Sequence, residues 1–213
     1  MIDTGSPESG GMSSLVDNLV DLLVIAALPA AILAAVFKFW TSGRVRIPKP
    51  KLGLMNLGGE EFAAILDEDR AAFGSLFDSV VVSTDGSIPQ CSVLFVYANV
   101  ASDGSISSAA ESSVRQFAAS AGAALVVVAS NNPGEHIAAA HQRPGSRDAS
   151  LVFTIDRRGD GFGRFFKEIF TLMKTGKTMP MAWAKIAPQH ESVMPKYAPA
   201  TIFLPEGKFI VFR

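Results

Sequence analysis

Asp156 to Arg164, DRRGDGFGR, holds the residue types and spacing in this chain that best suit chemistry. It follows an apolar run and opens an amphipathic one. Gly159, Gly161 and Gly163 would let backbone N–H groups approach an anion at the positive end of a helix, with Arg157, Arg158 and Arg164 there to pair it. The glycine spacing is not the full dinucleotide fingerprint, and the lysine of a phosphate-binding P-loop is missing. The loop therefore allows phosphate or nucleotide binding, and equally a plain strand-to-helix connection. A second candidate group is Asn99 at the end of one apolar run, with Ser130, Asn131 and Asn132 at the end of another. If those runs are parallel strands of one sheet, these residues and Asp156 line a polar crevice at its carboxyl edge, where open α/β sheets hold ligands. Asn131 and Asn132 also stand just before Pro133 and a helical run, where asparagine suits helix capping.

The other reactive side chains point to less. Cys91 is the single cysteine, which excludes an internal disulfide framework and a cysteine-based zinc site in the monomer. It stands at the start of an apolar run, the wrong end of a strand for a nucleophile at a carboxyl edge, so a structural thiol is expected. His136 and His141 are five residues apart, a poor spacing for one helical face, with only Glu135 nearby; neither a metal site nor a base serving Ser130 is expected there. His190 sits beside Glu191 in a polar stretch and receives no role. No metal or cofactor motif is complete.

The elements that must position these residues alternate. Gly59 to Phe77 is an amphipathic helix with acids early in it, and Ser79 to Ser83 is a short strand before a Thr84-Asp85-Gly86 turn. VLFVYANV (93–100) and ALVVVA (124–129) read as strands buried on both faces, separated by a helix over Glu111 to Ser120. A strand over Ser150 to Ile155 precedes a long amphipathic helix ended by Gly176. A second helix, Met179 to Ala187, is closed by Pro188, and a hairpin follows, Ala200 to Leu204 and Lys208 to Phe212 across Pro205-Glu206-Gly207. The pattern predicts an α/β domain with a mostly parallel central sheet.

Ahead of it, Leu15 to Trp40 contains no charged residue between Leu22 and Phe37. Leu19 to Trp40 is about 22 residues, roughly 33 Å as a helix, which suits a single membrane span. Asp17 and Asp21 fall at its outer end and Pro29 in its middle. Asp3 and Glu8, with no Lys or Arg before the span, argue against a cleaved signal peptide. Lys38, Arg44, Arg46, Lys49 and Lys51 follow it, so the positive-inside bias puts the N-terminus outside and the C-terminal domain in the cytoplasm. The expected organisation is a short acidic tail (1–14), a transmembrane helix (15–40), a basic Pro/Gly linker (41–58) and a soluble domain (59–213). Over all 213 residues the formal net charge is −1, which gives nucleic acid no electrostatic footing.

The order of these pieces resembles the caspase-like peptidases, the CHAT group in particular. LFVYANV looks like the strand that in that family ends in His-Gly. LVVVASNNPG resembles the strand ending in the turn that carries the nucleophilic cysteine. FFKEIFTLMKTGKTMPMAWAKIAPQ is similar to the family's helix pair, the most specific part of the likeness, and MPKYAPATIFLPEG to its closing strand; together they cover roughly Val93 to Gly207. The resemblance implies a three-layer caspase-like fold, with the family's histidine at Asn99 and its cysteine at Asn131. An amide supplies neither a thiolate nor an imidazole base, so the resemblance implies a catalytically silent relative. The leading expectation is a membrane-anchored interaction or sensing module with a protein partner. Its alternative is a membrane-tethered binder or enzyme for a phosphorylated small molecule or nucleotide, working through Gly159 to Gly163.

Overall fold

A computed structural model of the chain describes residues 44–106, 113–156, 161–193 and 200–213. The expected membrane span, like Arg157, Arg158 and Gly159, lies outside the described residues. Among the described residues no helix is long and apolar enough to cross a membrane.

The described chain is an α/β structure in three layers. Its strands are β1 (Arg44–Arg46), β2 (Lys51–Asn56), β3 (Ser79–Ser83), β4 (Val93–Tyr97), β5 (Leu125–Val128), β6 (Ser150–Asp156), β7 (Ala200–Leu204) and β8 (Phe209–Val211). Its α-helices are α1 (Glu60–Phe73), α2 (Val114–Ala121), α3 (Gly134–Gln142), α4 (Gly161–Lys174) and α5 (Met179–Val193). The central sheet runs β3-β2-β4-β5-β6-β7, with every neighbouring pair parallel except β6 and β7.

The apolar runs explain this arrangement. Each central strand is flanked by strands on both sides and covered by helices on both faces, so both sets of alternating side chains must be apolar. Phe95, Tyr97, Leu125 and Val127 point into a cluster with α1, α4 and α5. Leu94, Val96, Val126 and Val128 point into a second cluster with α2 and α3. The first cluster is rich in aromatic rings around Phe95, whose centroid lies 5.0 Å from Phe73 and 5.1 Å from Phe166. Local capping fixes the helix ends. Ser113 and Gln116 form a reciprocal capping box at the start of α2, and Gly122 closes that helix in the left-handed conformation.

Three expectations are corrected. The stretch read as a linker folds from Arg44 onward: Lys51–Asn56 is β2, a central strand buried from Leu52 to Asn56 and paired with both β3 and β4. Gly53 interrupts its apolar run for a packing reason, since a Cβ there would lie 2.7 Å from Cys91 Sγ and 2.9 Å from Pro89 Cγ. The C-terminal hairpin does not form. β7 pairs antiparallel with β6, whereas β8 pairs in parallel with β1 in a separate two-stranded sheet. The connection between them is held elsewhere: Gly207 lies so close to the Ala149–Ser150 backbone that a Cβ would come within 2.4 Å of it, and Glu206 is drawn to Arg115. Finally, α5 runs through Pro188 to Val193, because an interior proline removes one ladder bond without having to end a helix.

Candidate functional site

The parallel strands bring Asn99, Ser130, Asn131 and Asn132, and the end of β6 at Asp156, to one carboxyl edge of the sheet. They do not play one role there. Asn99 and Asn131 are exposed, while Ser130 and Asn132 are buried and occupied. Asn132 Oδ1 accepts from the backbone N–H of Val100 at 2.9 Å, and its Nδ2 donates to the carbonyl of Thr154 at 3.1 Å. Ser130 Oγ donates to the carbonyl of Ala98 at 2.5 Å, and the Ser130 N–H donates to Thr154 Oγ1 at 2.8 Å. These bonds tie together the chain ends leaving β4, β5 and β6. Asn132 is therefore not the cap of α3, whose N-cap position is Pro133, and Ser130 has its hydroxyl committed to a carbonyl rather than to a base.

Removing Asn132 tests this directly. Asn132→Ala leaves the Val100 N–H and the Thr154 carbonyl without their buried partner, and is expected to lower stability by about 1–3 kcal/mol, read as a lower urea midpoint.

The loop that carries Asn99 is also fastened. His136 Nδ1 lies 2.8 Å from the carbonyl oxygen of Val100; since that oxygen only accepts, Nδ1 bears the proton. Gly104, at φ 79°, is pressed against α3 so closely that a Cβ would meet the Ala139–Ala140 backbone at 2.4 Å. Arg143 reaches across to Asp103, donating to its carbonyl at 3.1 Å and its carboxylate at 2.8 Å. Hydrogen bonds from Ser105, helped by Arg143, hold the Asp103 carboxyl below the usual carboxylate range. The exposed amides of Asn99 and Asn131 thus sit on a fastened edge, with neither thiol nor imidazole at those two positions.

No family model matches the chain, and no curated protein matches it as a relative.

Of the glycine-rich stretch, the structure describes Gly161 to Arg164, the first turn of α4. Gly161 and Gly163 are buried inside α4, and a Cβ on Gly163 would lie 2.8 Å from Ala72 Cβ on α1. Gly163 thus allows α1 and α4 to approach closely, while Arg157, Arg158 and Gly159, on which anion binding would also depend, lie outside the described residues. Arg164, on the same helix, is exposed. Cys91 is buried before β4, at the amino end of that strand, and burial pushes its thiol up to about 12. Among the described residues no group of three or more His, Cys, Asp or Glu side chains is placed to hold a metal ion.

One feature of the edge was missed in the sequence because β2 was missed. A cleft of about 480 Å³ opens where β2 and β3 end, lined by Asn56, Leu57, Gly59, Glu60, Ala63, Thr84, Asp85 and Gly86. Asn56 shapes its floor, accepting from the N–H groups of Gly58 and Gly59 and donating to the Gly59 carbonyl. Hydrogen bonds from Ser87 and Ser83 lower the Asp85 carboxyl to about 2, so the cleft wall carries a fixed negative charge. The signal in the sequence was Met55-Asn-Leu-Gly-Gly, an apolar run passing through Asn and a glycine pair into an amphipathic helix.

Proposed function

We propose that the chain is a single-pass membrane protein whose C-terminal domain is a caspase-like, CHAT-type fold without peptidase chemistry, acting as a cytoplasmic interaction or sensing module. One observation carries the reading. The neighbouring parallel strands β4 and β5 run out to exposed Asn99 and Asn131, the two positions where the resemblance puts a histidine and a cysteine. Two further observations support it: α4 and α5 pack as a pair through Phe165 and Trp183, with centroids 5.0 Å apart, and the closing strand β7 lies against β6. The membrane part rests on the apolar stretch Leu15 to Trp40 and the basic residues after it, of which Arg44, Arg46, Lys49 and Lys51 are exposed.

On this reading the full-length protein stays in the membrane pellet through alkaline carbonate extraction, is captured from mild detergent with a stoichiometric protein companion, and turns over no peptide substrate. Release by carbonate would remove the anchor. Peptide turnover that disappears in Asn131→Ala would overturn the silent assignment.

A further inference from the structure

The sheet has an open rim at β3. Among the described residues β3 pairs only with β2, leaving the outward backbone N–H and C=O groups of Ser79–Ser83 without a strand beside them. Natural edge strands are commonly guarded by lysine, proline, a bulge or an inward-facing charge. Ser79-Val80-Val81-Val82-Ser83 contains no charge and no proline, and its register with β2 is unbroken. It also carries Val81 at 44% and Val82 at 39% exposure, two of the four exposed large apolar side chains among the described residues. Val81 is in register with Gly53, so no side chain on β2 shields it.

The sequence of this strand reads the same in both directions. A twofold axis beside Val81, perpendicular to the sheet and midway between two copies of the strand, would therefore bring a second β3 alongside it, antiparallel and self-complementary. Val81 then faces Val81 on one side of the joined sheet. Val80 faces Val82 on the other, and Ser79 faces Ser83. The nearest acids do not oppose one another: in this register Asp78 faces Thr84, and Asp85, already held by Ser83 and Ser87, faces Phe77. Like charges directly opposite are the usual penalty against such a pair, and here there are none.

We propose that β3 is a homodimer interface, pairing antiparallel with β3 of a second copy of this chain about Val81, so that the two central sheets run on as one. The occupant is a second copy because the register matches itself, residue type for residue type, along the whole strand.

Cross-linking the full-length chain in mild detergent tests both the contact and its register. Facing residues of an antiparallel pair have Cα atoms about 4.5–5.5 Å apart, within disulfide reach, whereas diagonal neighbours are about 7–8 Å apart. Under mild oxidation Val81→Cys is expected to give at least about tenfold more covalent dimer than Val80→Cys, whose nearest copy of itself is diagonal. Cys91 is buried and stays in place. Val81→Lys, which sets two ammonium groups opposite each other at an exposed position, is expected to shift the dimer to monomer in light scattering while leaving the far-UV dichroism unchanged. A monomeric wild-type chain overturns the proposal, and so does equal cross-linking of the two cysteine variants. A Val81→Lys protein that remains dimeric overturns it too, and would place the contact elsewhere, such as residues 15–40.

Discussion

Glu206→Ala is expected to cost about 3–5 kcal/mol, among the largest effects of any single substitution in the described fold, because it strands a buried guanidinium. Arg115 is 1% exposed. Its Nη1 is ion-paired with Glu206 Oε2 at 2.5 Å, its Nη2 donates to the His141 carbonyl at 3.2 Å, and its Nε has no hydrogen-bond partner among the described residues. Among the described residues Glu206 is thus its one countercharge. His141 Nδ1 lies 2.9 Å from Glu206 Oε1 and 3.3 Å from Arg115 Nη2. A guanidinium only donates, so Nδ1 cannot serve both; the shorter contact assigns its proton to the carboxylate. The cluster joins α2, the end of α3 and the β7–β8 connection, three segments that no strand pairing links. Loss of Glu206 is therefore expected to loosen them together, seen as a lower melting temperature followed through Trp183, which stacks on Phe203. Replacing both partners, Arg115→Met with Glu206→Leu, is expected to recover most of the loss, because neither charge is then left buried alone. A double variant as unstable as the single one would show that shape, not charge, is what Glu206 supplies.

The same carboxylate sets a pH dependence. Burial acts to raise the Glu206 pKa, but the hydrogen bond and charge of Arg115, with His141 and Arg147, outweigh it and hold the carboxyl below 4.5. A carboxylate whose folded value is depressed contributes stability above its unfolded value and loses it as the pH falls through the lower, folded one. Wild-type stability should therefore fall more steeply than that of the Arg115→Met/Glu206→Leu protein as the pH drops below 4.5. Equal slopes in urea titrations across that window would rule this contribution out.

What the sequence disclosed follows from how local each signal was. β4, β5 and α4 were legible because their apolar residues lie next to one another or at helical spacing, and burial on both faces of a strand leaves no other reading for Leu125 to Val128. β2 was not legible. It offers Leu52, Leu54 and Met55 around a glycine, just after a basic, proline-containing stretch, and what makes it the strand between β3 and β4 is pairing with Leu94, Phe95 and Val82, all distant in the chain. Missing it hid the cleft at Asn56 and Gly59. The hairpin failed for the opposite reason: Pro205-Glu206-Gly207 has turn chemistry, but Glu206 is claimed by a buried arginine that local reasoning does not see. At the site, the exposed amides of Asn99 and Asn131 were readable from strand ends, since a chain leaving a sheet must reach its rim. That neighbouring Asn132 faces inward to bind Val100 and Thr154 was not, because an asparagine before a helix has a local capping role that competes with the long-range one.

The largest expected chemical contrast lies between two thiols, one native and one installed. Cys91 is buried beside Gly53, and burial pushes its thiol from 9.0 up to about 12, so at a given pH it presents about a thousandfold less thiolate than an unperturbed cysteine. Asn131 is exposed at the end of β5. In the folded Asn131→Cys protein at pH 8, iodoacetamide is therefore expected to alkylate position 131 at least about tenfold faster than Cys91, the thiolate deficit outweighing the greater nucleophilicity of a higher-pKa thiolate, scored by mass spectrometry of the two peptides. Adding Asn99→His should raise the rate at 131 further if the ends of β4 and β5 stand as the fold sets them, because an imidazole in reach of a thiol stabilises the thiolate. This addition separates geometry from mere exposure. An exposed thiol with no partner reacts at the same rate with asparagine or histidine at position 99, whereas paired positions respond to the change, most strongly below pH 8, where an unassisted thiol is protonated. A response would mean that the edge keeps the spacing of a dyad whose two chemical groups are absent. No response would separate Asn99 from Asn131 and remove the observation on which the silent-peptidase reading stands.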